Sequence, residues 1–296
     1  MRVPVSPGGL PERTAEVIAS IAQHRALSTE QVREMHFPGN LPRWMQRVLV
    51  RIEEAGHVAH VDVRRAPRRL WFATDSGLEL VRAAGITDGE LRLFTAEEIA
   101  GRFWSHTYAV NGAAVSFVRA ARQRGDDFGP LSWRHEVAHP VGPKGAPYSR
   151  RVVADALLTY VREADGRIFL EQRFLELDRA TRSIEGTAAS LGEYARLASA
   201  RGVGDWRRRY PRLPPVLCVL AGADERTLRR RGTAILALLR SNRALAQAGE
   251  VRVSVALARD LAASGPFGPI FRELRRPGVE VDWLGRPGAG DSEMQG

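Results

Sequence analysis

Three carboxylates and one short histidine pattern are the residues in this chain whose types and spacing could do chemistry. Asp155 stands alone in the apolar run Val153-Ala154-Asp155-Ala156-Leu157-Leu158. An acid in such a run is costly unless it is paired, hydrogen-bonded or bound to a metal. Further on, Glu176 and Asp178 alternate with Leu175 and Leu177. On a strand, that alternation puts Glu176 and Asp178 on one face together with Phe174. Three carboxylates converging from paired strands could hold Mg²⁺, a hard ion that prefers oxygen ligands. The plainer alternative is that Glu176 and Asp178 end the strand and pair with Arg179 and Arg182 in solvent. The histidine pattern is His135-Glu136-Val137-Ala138-His139, which fits the HExxH spacing of zinc peptidases. That chemistry needs a helix, so that both imidazoles share a face and the glutamate activates a zinc-bound water. Pro130 and Pro140 bracket a segment too short for one, and Leu131-Ser132-Trp133 reads as strand. On a strand Glu136 turns away from both histidines, where it is a candidate to join Asp155.

These residues need a sheet to position them. Residues 151–161 and 168–178 read as two strands joined by a turn at Glu163-Ala164-Asp165-Gly166, where Asp-Gly supplies the positive φ. One helix over residues 183–201 carries Ile184, Ala188, Leu191, Ala195 and Ala198 at helical spacing. Residues 215–221 form a continuous apolar strand, the mark of burial on both faces. It holds Cys218, the single cysteine, which reads as core. A helix over residues 225–241 follows, with Arg226, Arg229, Arg230 and Arg231 as its basic face. Residues 251–257 and 279–284 are the remaining strands, and residues 285–296 form a Gly-rich polar tail expected to be disordered. Trp206-Arg207-Arg208-Arg209-Tyr210 interleaves basic and aromatic residues. It suits either stacking on nucleic acid or a loop with Trp206 folded onto the core. The alternation of strands and helices makes this an α/β (α+β) domain over residues 105–284.

The first 84 residues are organised differently. A helix over residues 12–24 precedes Ser28-Thr29-Glu30-Gln31, which has capping-box spacing and opens a second short helix. Pro42 starts a third helix, with Met45, Val48, Leu49 and Ile52 inward and Arg43, Arg47 and Arg51 stepping along the other side. Two strands, residues 58–63 and 69–73, flank the basic turn Arg64-Arg65-Ala66-Pro67-Arg68. Asp75 is expected to cap a fourth helix. This is the order of a winged helix-turn-helix. Arg43, Gln46, Arg47 and Arg51 would face a major groove, and Arg64, Arg65, Arg68 and Arg69 would grip the phosphate backbone. Residues 85–104 read as a connector.

Charge supports a polyanionic partner such as double-stranded DNA. The 296 residues carry 44 Lys and Arg against 34 Asp and Glu, a formal net charge of +10. Lys144 is the sole lysine, the pattern of high-GC codon usage, so the location of charge says more than its total. Residues 41–73 hold 7 arginines against 3 acids. No apolar run is long enough for a membrane span, and no signal-like stretch opens the chain, so a cytoplasmic protein is expected. No glycine-rich phosphate loop is present.

The run Val153 to Leu158, the run Phe174-Leu175-Glu176-Leu177-Asp178-Arg179-Ala180-Thr181, and the stretch from Leu191 to Tyr194 together resemble the replication-relaxation family. Those are proteins of plasmids and other mobile elements in high-GC bacteria. The resemblance implies an N-terminal winged helix followed by a domain similar to the PD-(D/E)XK nucleases, a restriction-endonuclease-like mixed sheet. It also implies a role in replication, transfer or transcription control. Three departures matter. Ala154 stands where the family has proline, Asp178 where a nuclease places its lysine, and Ser190 at a helix position that often carries lysine. The expectation is a DNA-binding protein with an inactive nuclease-like domain and no cofactor. The alternatives are a Mg²⁺-dependent nuclease or nickase using Asp155, Glu176 and Asp178, with Glu136 as a further acid, and a zinc peptidase. A homodimer, or a protein partner on the C-terminal domain, is also compatible with this reading.

Overall fold

The computed structural model describes residues 12–39, 42–63, 69–86, 91–101, 104–141, 151–201 and 205–288. The chain divides into two compact units, residues 1–134 and 135–296.

In the first unit the elements run α1 (Glu12–Gln23), β1 (Leu27–Ser28), α2 (Thr29–His36), α3 (Pro42–Glu54), β2 (Val58–Asp62), β3 (Arg69–Ala73) and α4 (Asp75–Ala84). β3 lies between β1 and β2, antiparallel to both. This order is compatible with the expected winged helix-turn-helix. The capping box forms as read: Ser28 Oγ accepts from the Gln31 amide, and the Gln31 side chain accepts from the Ser28 amide. Thr74, rather than Asp75, caps α4, because its extended backbone lets Oγ1 accept from the Gly77 amide. Val17, Ile18, Ile21, Met45, Leu49 and Ile52 form the core at their 3.6-residue spacing, while Val48 is half-buried.

The expected connector holds a short helix, α5 (Ala96–Ala100), with its own capping box from Thr95 and Glu98. The long helix α6 (Trp104–Arg124) belongs to the first unit, not to the second domain as the sequence suggested. Polar bonds explain the shift. Asn111, fully buried, donates Nδ2 to the carbonyls of Ala26 at 3.0 Å and His24 at 3.3 Å. Gln31 Nε2 donates to the Tyr108 carbonyl at 2.8 Å, and Arg122 to that of Met35 at 2.9 Å. His24 stacks on Trp133 with ring centroids 3.7 Å apart.

In the second unit β4 (Trp133–Pro140, which begins just before the division), β5 (Arg151–Ala164), β6 (Arg167–Asp178), β7 (Val216–Leu220), β8 (Val253–Leu257), β9 (Phe271–Glu273) and β10 (Glu280–Val281) form one mixed sheet. Its order is β10-β9-β8-β7-β6-β5-β4. β6, β7 and β8 are parallel, and β5 and β9 flank them antiparallel. The hairpin between β5 and β6 turns at Asp165 (φ 53°) and Gly166 (φ 67°). Both residues there are left-handed, the geometry of a two-residue hairpin. The single helix expected over residues 183–201 is two, α7 (Ile184–Gly192) and α8 (Tyr194–Ser199), broken at Glu193. α9 (Glu225–Ser241), α10 (Arg243–Gln247) and α11 (Ala258–Ser264) complete the described helices. Leu191, Tyr194, Leu197, Leu228, Ile235 and Leu239 pack with Phe174, Cys218, Val253 and Val255 as one core over a single face of the sheet.

β9 was not legible in the sequence. Its three residues carry a buried glutamate, Glu273, held by Arg252 and Arg276. Residues 285–288, expected in a disordered tail, are tied back: Pro287 bridges to Val281, and Arg286 pairs with Asp282. Trp206 and Tyr210 are buried in the core, while Trp206–Arg208 forms one turn of 3-10 helix and Arg207, Arg208 and Arg209 stay exposed. Lys144 lies outside the described residues.

Replacing Ser28 with alanine removes the acceptor for the Gln31 amide and should lower stability by about 1 kcal/mol. Urea denaturation of the Ser28→Ala variant reads this as a lower midpoint at unchanged slope.

Candidate functional site

The basic stripe of the first unit lies on α3. Proline at the first helical position starts the helix, and its apolar residues turn inward. Arg43, Gln46, Arg47 and Arg51 are all exposed on the opposite side. An open groove of about 660 Å³ runs over them, lined also by Val50 and Glu54. Among the described residues, no carboxylate pairs with Arg43, Arg47 or Arg51. Arg69 differs from them. Its Nε lies 3.3 Å from Asp62 Oδ1, and its guanidinium sits over the Trp71 ring at 5.7 Å. Arg64, Arg65 and Arg68 lie outside the described residues.

The carboxylates of the second unit are brought together only in part. The β5–β6 register runs as far as Ala156 opposite Leu175. Beyond it Asp155 takes over: its Oδ2 accepts the Leu177 amide at 2.8 Å. The mid-strand acid therefore caps a backbone donor in the hairpin. Glu176 lies beside Cys218 of β7 in the parallel register. Tyr194 of α8, wholly buried, donates its hydroxyl to Glu176 Oε1 at 2.6 Å. Burial, reinforced by the negative charge of Asp155, pushes the Glu176 carboxyl up to about 8, so it holds a proton at neutral pH. The Tyr194 hydroxyl is pushed up by its own burial and then by Glu176. Burial also raises the Cys218 thiol, followed by the charge of Asp178.

Asp178 does not complete a three-carboxylate cluster. Its Oδ2 lies 2.6 Å from Arg231 Nε, with both side chains buried. Arg231 also donates to the Arg182 carbonyl at 2.8 Å and to Thr187 Oγ1 at 3.1 Å, while Asp178 Oδ1 accepts the Ala180 amide at 2.9 Å. Arg231 was expected on the exposed face of α9. Instead it sits between Leu228 and Ile235 on the buried face. Asp178 is therefore not the solvated strand end of the plainer reading, because it is buried in an ion pair. Its carboxylate is engaged by the buried Arg231 guanidinium. Glu176 holds a proton against Tyr194. Among the described residues, no group of three or more His, Cys, Asp or Glu is arranged to hold a metal ion. The donor set does not fit a Mg²⁺ site of Asp155, Glu176 and Asp178.

The HExxH residues run on strand β4, so the helix that a zinc peptidase requires is absent. Glu136 takes a positive φ of 48° and is exposed, while His139 is buried with its Nε2 2.8 Å from the Tyr210 hydroxyl. Two residues that define this region had other readings in the sequence: Arg231 as part of a basic face, and Tyr194 only within the family resemblance. The signal for Arg231 was present, since it falls three residues after Leu228 and four before Ile235.

With this geometry in hand, comparison with known proteins gives one match. The replication-relaxation family model matches residues 18–210, more than half of the chain, and the chain belongs to that family. No curated protein and no solved structure matches it. Among the described residues, no helix is long and apolar enough to cross a membrane.

Two predictions follow from these contacts. Asp178→Ala leaves Arg231 buried without its counter-ion and should cost about 3–5 kcal/mol, whereas Asp178→Leu with Arg231→Met should restore most of the loss, read by urea denaturation. Glu176 has a raised pKa in the folded protein, so between about 4.5 and 8 the native state binds more protons than the unfolded one. Its contribution is therefore fully present below pH 4.5 and is lost as pH rises through 8. Glu176→Gln should flatten the decline of melting temperature over that window, and an unchanged decline would contradict the buried, protonated carboxyl.

Proposed function

We propose, from membership of the replication-relaxation family and from the arginine face of α3, that this protein binds double-stranded DNA. It acts in the replication, relaxation, transfer or transcription control of a plasmid or other mobile element. The observation that carries the reading is the row Arg43, Arg47 and Arg51, exposed and without carboxylate partners among the described residues, over an open groove. Guanidinium groups held this way on a helix are available to phosphates and to guanine edges. α3 is the third helix of an element order compatible with a winged helix-turn-helix, the position from which such a domain reads the major groove.

The second unit, in this proposal, is a nuclease-like scaffold that does not cut DNA. The Asp178–Arg231 pair supports this, because the position where a nuclease places its lysine carries instead an acid held in a buried ion pair. The companion residues Asp155 and Glu176 hold a backbone amide and a proton.

One experiment tests both halves. The protein is incubated with supercoiled plasmid in Mg²⁺, in Mn²⁺ and in EDTA, and one gel reads shift and cleavage. The expected result is a salt-sensitive, metal-independent shift without nicking. Arg43→Ala with Arg47→Ala should weaken the shift about tenfold or more. Metal-dependent nicking abolished by Asp155→Ala would make the protein a nuclease, and an unchanged shift in the arginine variant would remove α3 as the recognition helix.

A further inference from the structure

The arginines of the second unit divide into two kinds. Many are ion-paired: Arg162 and Arg173 share Glu171, Arg252 and Arg276 share Glu273, Arg207 meets Glu250, and Arg286 meets Asp282. α9 departs from this pattern. Its buried face is Leu228, Arg231, Gly232, Ile235, Leu236 and Leu239. On the outward face Arg226, Arg230, Thr233, Ala237 and Arg240 follow one another at helical spacing, all exposed. Among the described residues no carboxylate pairs with Arg226, Arg230 or Arg240. Arg229, at the edge of the row, is ion-paired with Glu225 at 2.8 Å and Asp260 at 3.3 Å.

Arg272 joins the row from β9. Its guanidinium donates to Thr233 Oγ1 at 3.0 Å and to the Arg229 carbonyl at 3.4 Å. Partial burial lowers its pKa, and the positive charges of Arg229 and Arg240 lower it further, against the opposing pull of Glu280 and Asp260. Like charges are thus held close enough to repel. A polyanion laid along the row would relieve that repulsion.

We propose that the outward face of α9, centred on Arg226 and Arg230, is a second DNA-binding surface that holds the phosphate backbone of a duplex without reading its sequence. The proposal rests on the duplex-binding reading above and adds to it a separate surface in a separate unit, on a helix beyond the residues that the family model matches. Charge complementarity selects the occupant. The 17 residues of α9 make a rod about 25 Å long, and a duplex presents one phosphate for about every 1.7 Å of its axis. Between the arginines the face offers Thr233 and Ala237, small residues that let a backbone approach. An acidic protein partner would want a large apolar or aromatic anchor at the centre of such a face. None stands in this row, and Leu238 lies to its side.

The test uses the full chain and fluorescence anisotropy on a labelled duplex of random sequence, titrated across salt. Three forms are compared: wild type, Arg226→Ala with Arg230→Ala, and Arg43→Ala with Arg47→Ala. Melting curves confirm that the variants, all at exposed positions, remain folded. The α9 variant should bind about tenfold more weakly, and the slope of log K against log salt should fall by about 1.8, from two lost phosphate contacts. The loss should be the same on unrelated sequences, and Arg226→Lys with Arg230→Lys should restore most of the affinity. If the α9 variant keeps both affinity and slope while the α3 variant loses them, the α9 surface is overturned and the recognition helix stands. The reverse pattern keeps α9 and removes α3. A wild-type protein that binds no duplex overturns both.

Discussion

The buried ion pair between Asp178 and Arg231 is the interaction on which the second unit turns. It joins the end of β6 to the middle of α9, and through the Arg182 carbonyl and Thr187 hydroxyl it also holds the start of α7. Two charges taken out of water at that depth need further hydrogen bonds, and here Arg231 Nη2 reaches the Arg182 carbonyl and Thr187 Oγ1 while Asp178 Oδ1 accepts the Ala180 amide. The close approach of neighbouring backbone supports the arrangement. Gly222, at a φ of +84°, lies where an added Cβ would meet the Arg179 carbonyl at 2.4 Å, so only glycine lets the chain leave β7 past the end of β6.

That pair also settles how the acids of the sheet divide their work. Glu176 and Asp178 share a face of β6, but their surroundings differ. Asp178 meets a guanidinium, while Glu176 meets apolar burial, the Asp155 charge and a tyrosine hydroxyl. One cation beside one of two carboxylates is enough to send them to opposite uses. Asp178 is used in an ion pair, and Glu176 is left protonated.

The first unit shows the complementary use of charge. Its inward faces are apolar or carry polar groups with assigned partners, such as Asn111 between α6 and the chain around Ala26. The arginines of α3 are left facing outward. The same logic recurs on α9, where Arg231 is drawn in and Arg226 and Arg230 stay out. A single helix thus carries a structural arginine and exposed ones a few residues apart, and only their partners tell them apart.

The sequence by itself determined the periodic elements. The capping box at Ser28, the apolar face of α3, the Asp165-Gly166 hairpin and the continuous apolar run of β7 were all legible, because each rests on contacts within a few residues. It also carried the family resemblance, through short runs around Asp155 and Glu176. Tertiary structure decided what those runs do. That Asp155 caps the Leu177 amide, that Tyr194 faces Glu176, and that Arg231 neutralises Asp178 depend on residues 22, 18 and 53 positions apart. No local pattern encodes such pairings. The same holds for α6, assigned to the first unit by hydrogen bonds to residues more than 70 positions away. Local propensity fixes which face of an element is apolar, whereas the partner across the sheet decides whether a charge on that face is a ligand, a base or a strut.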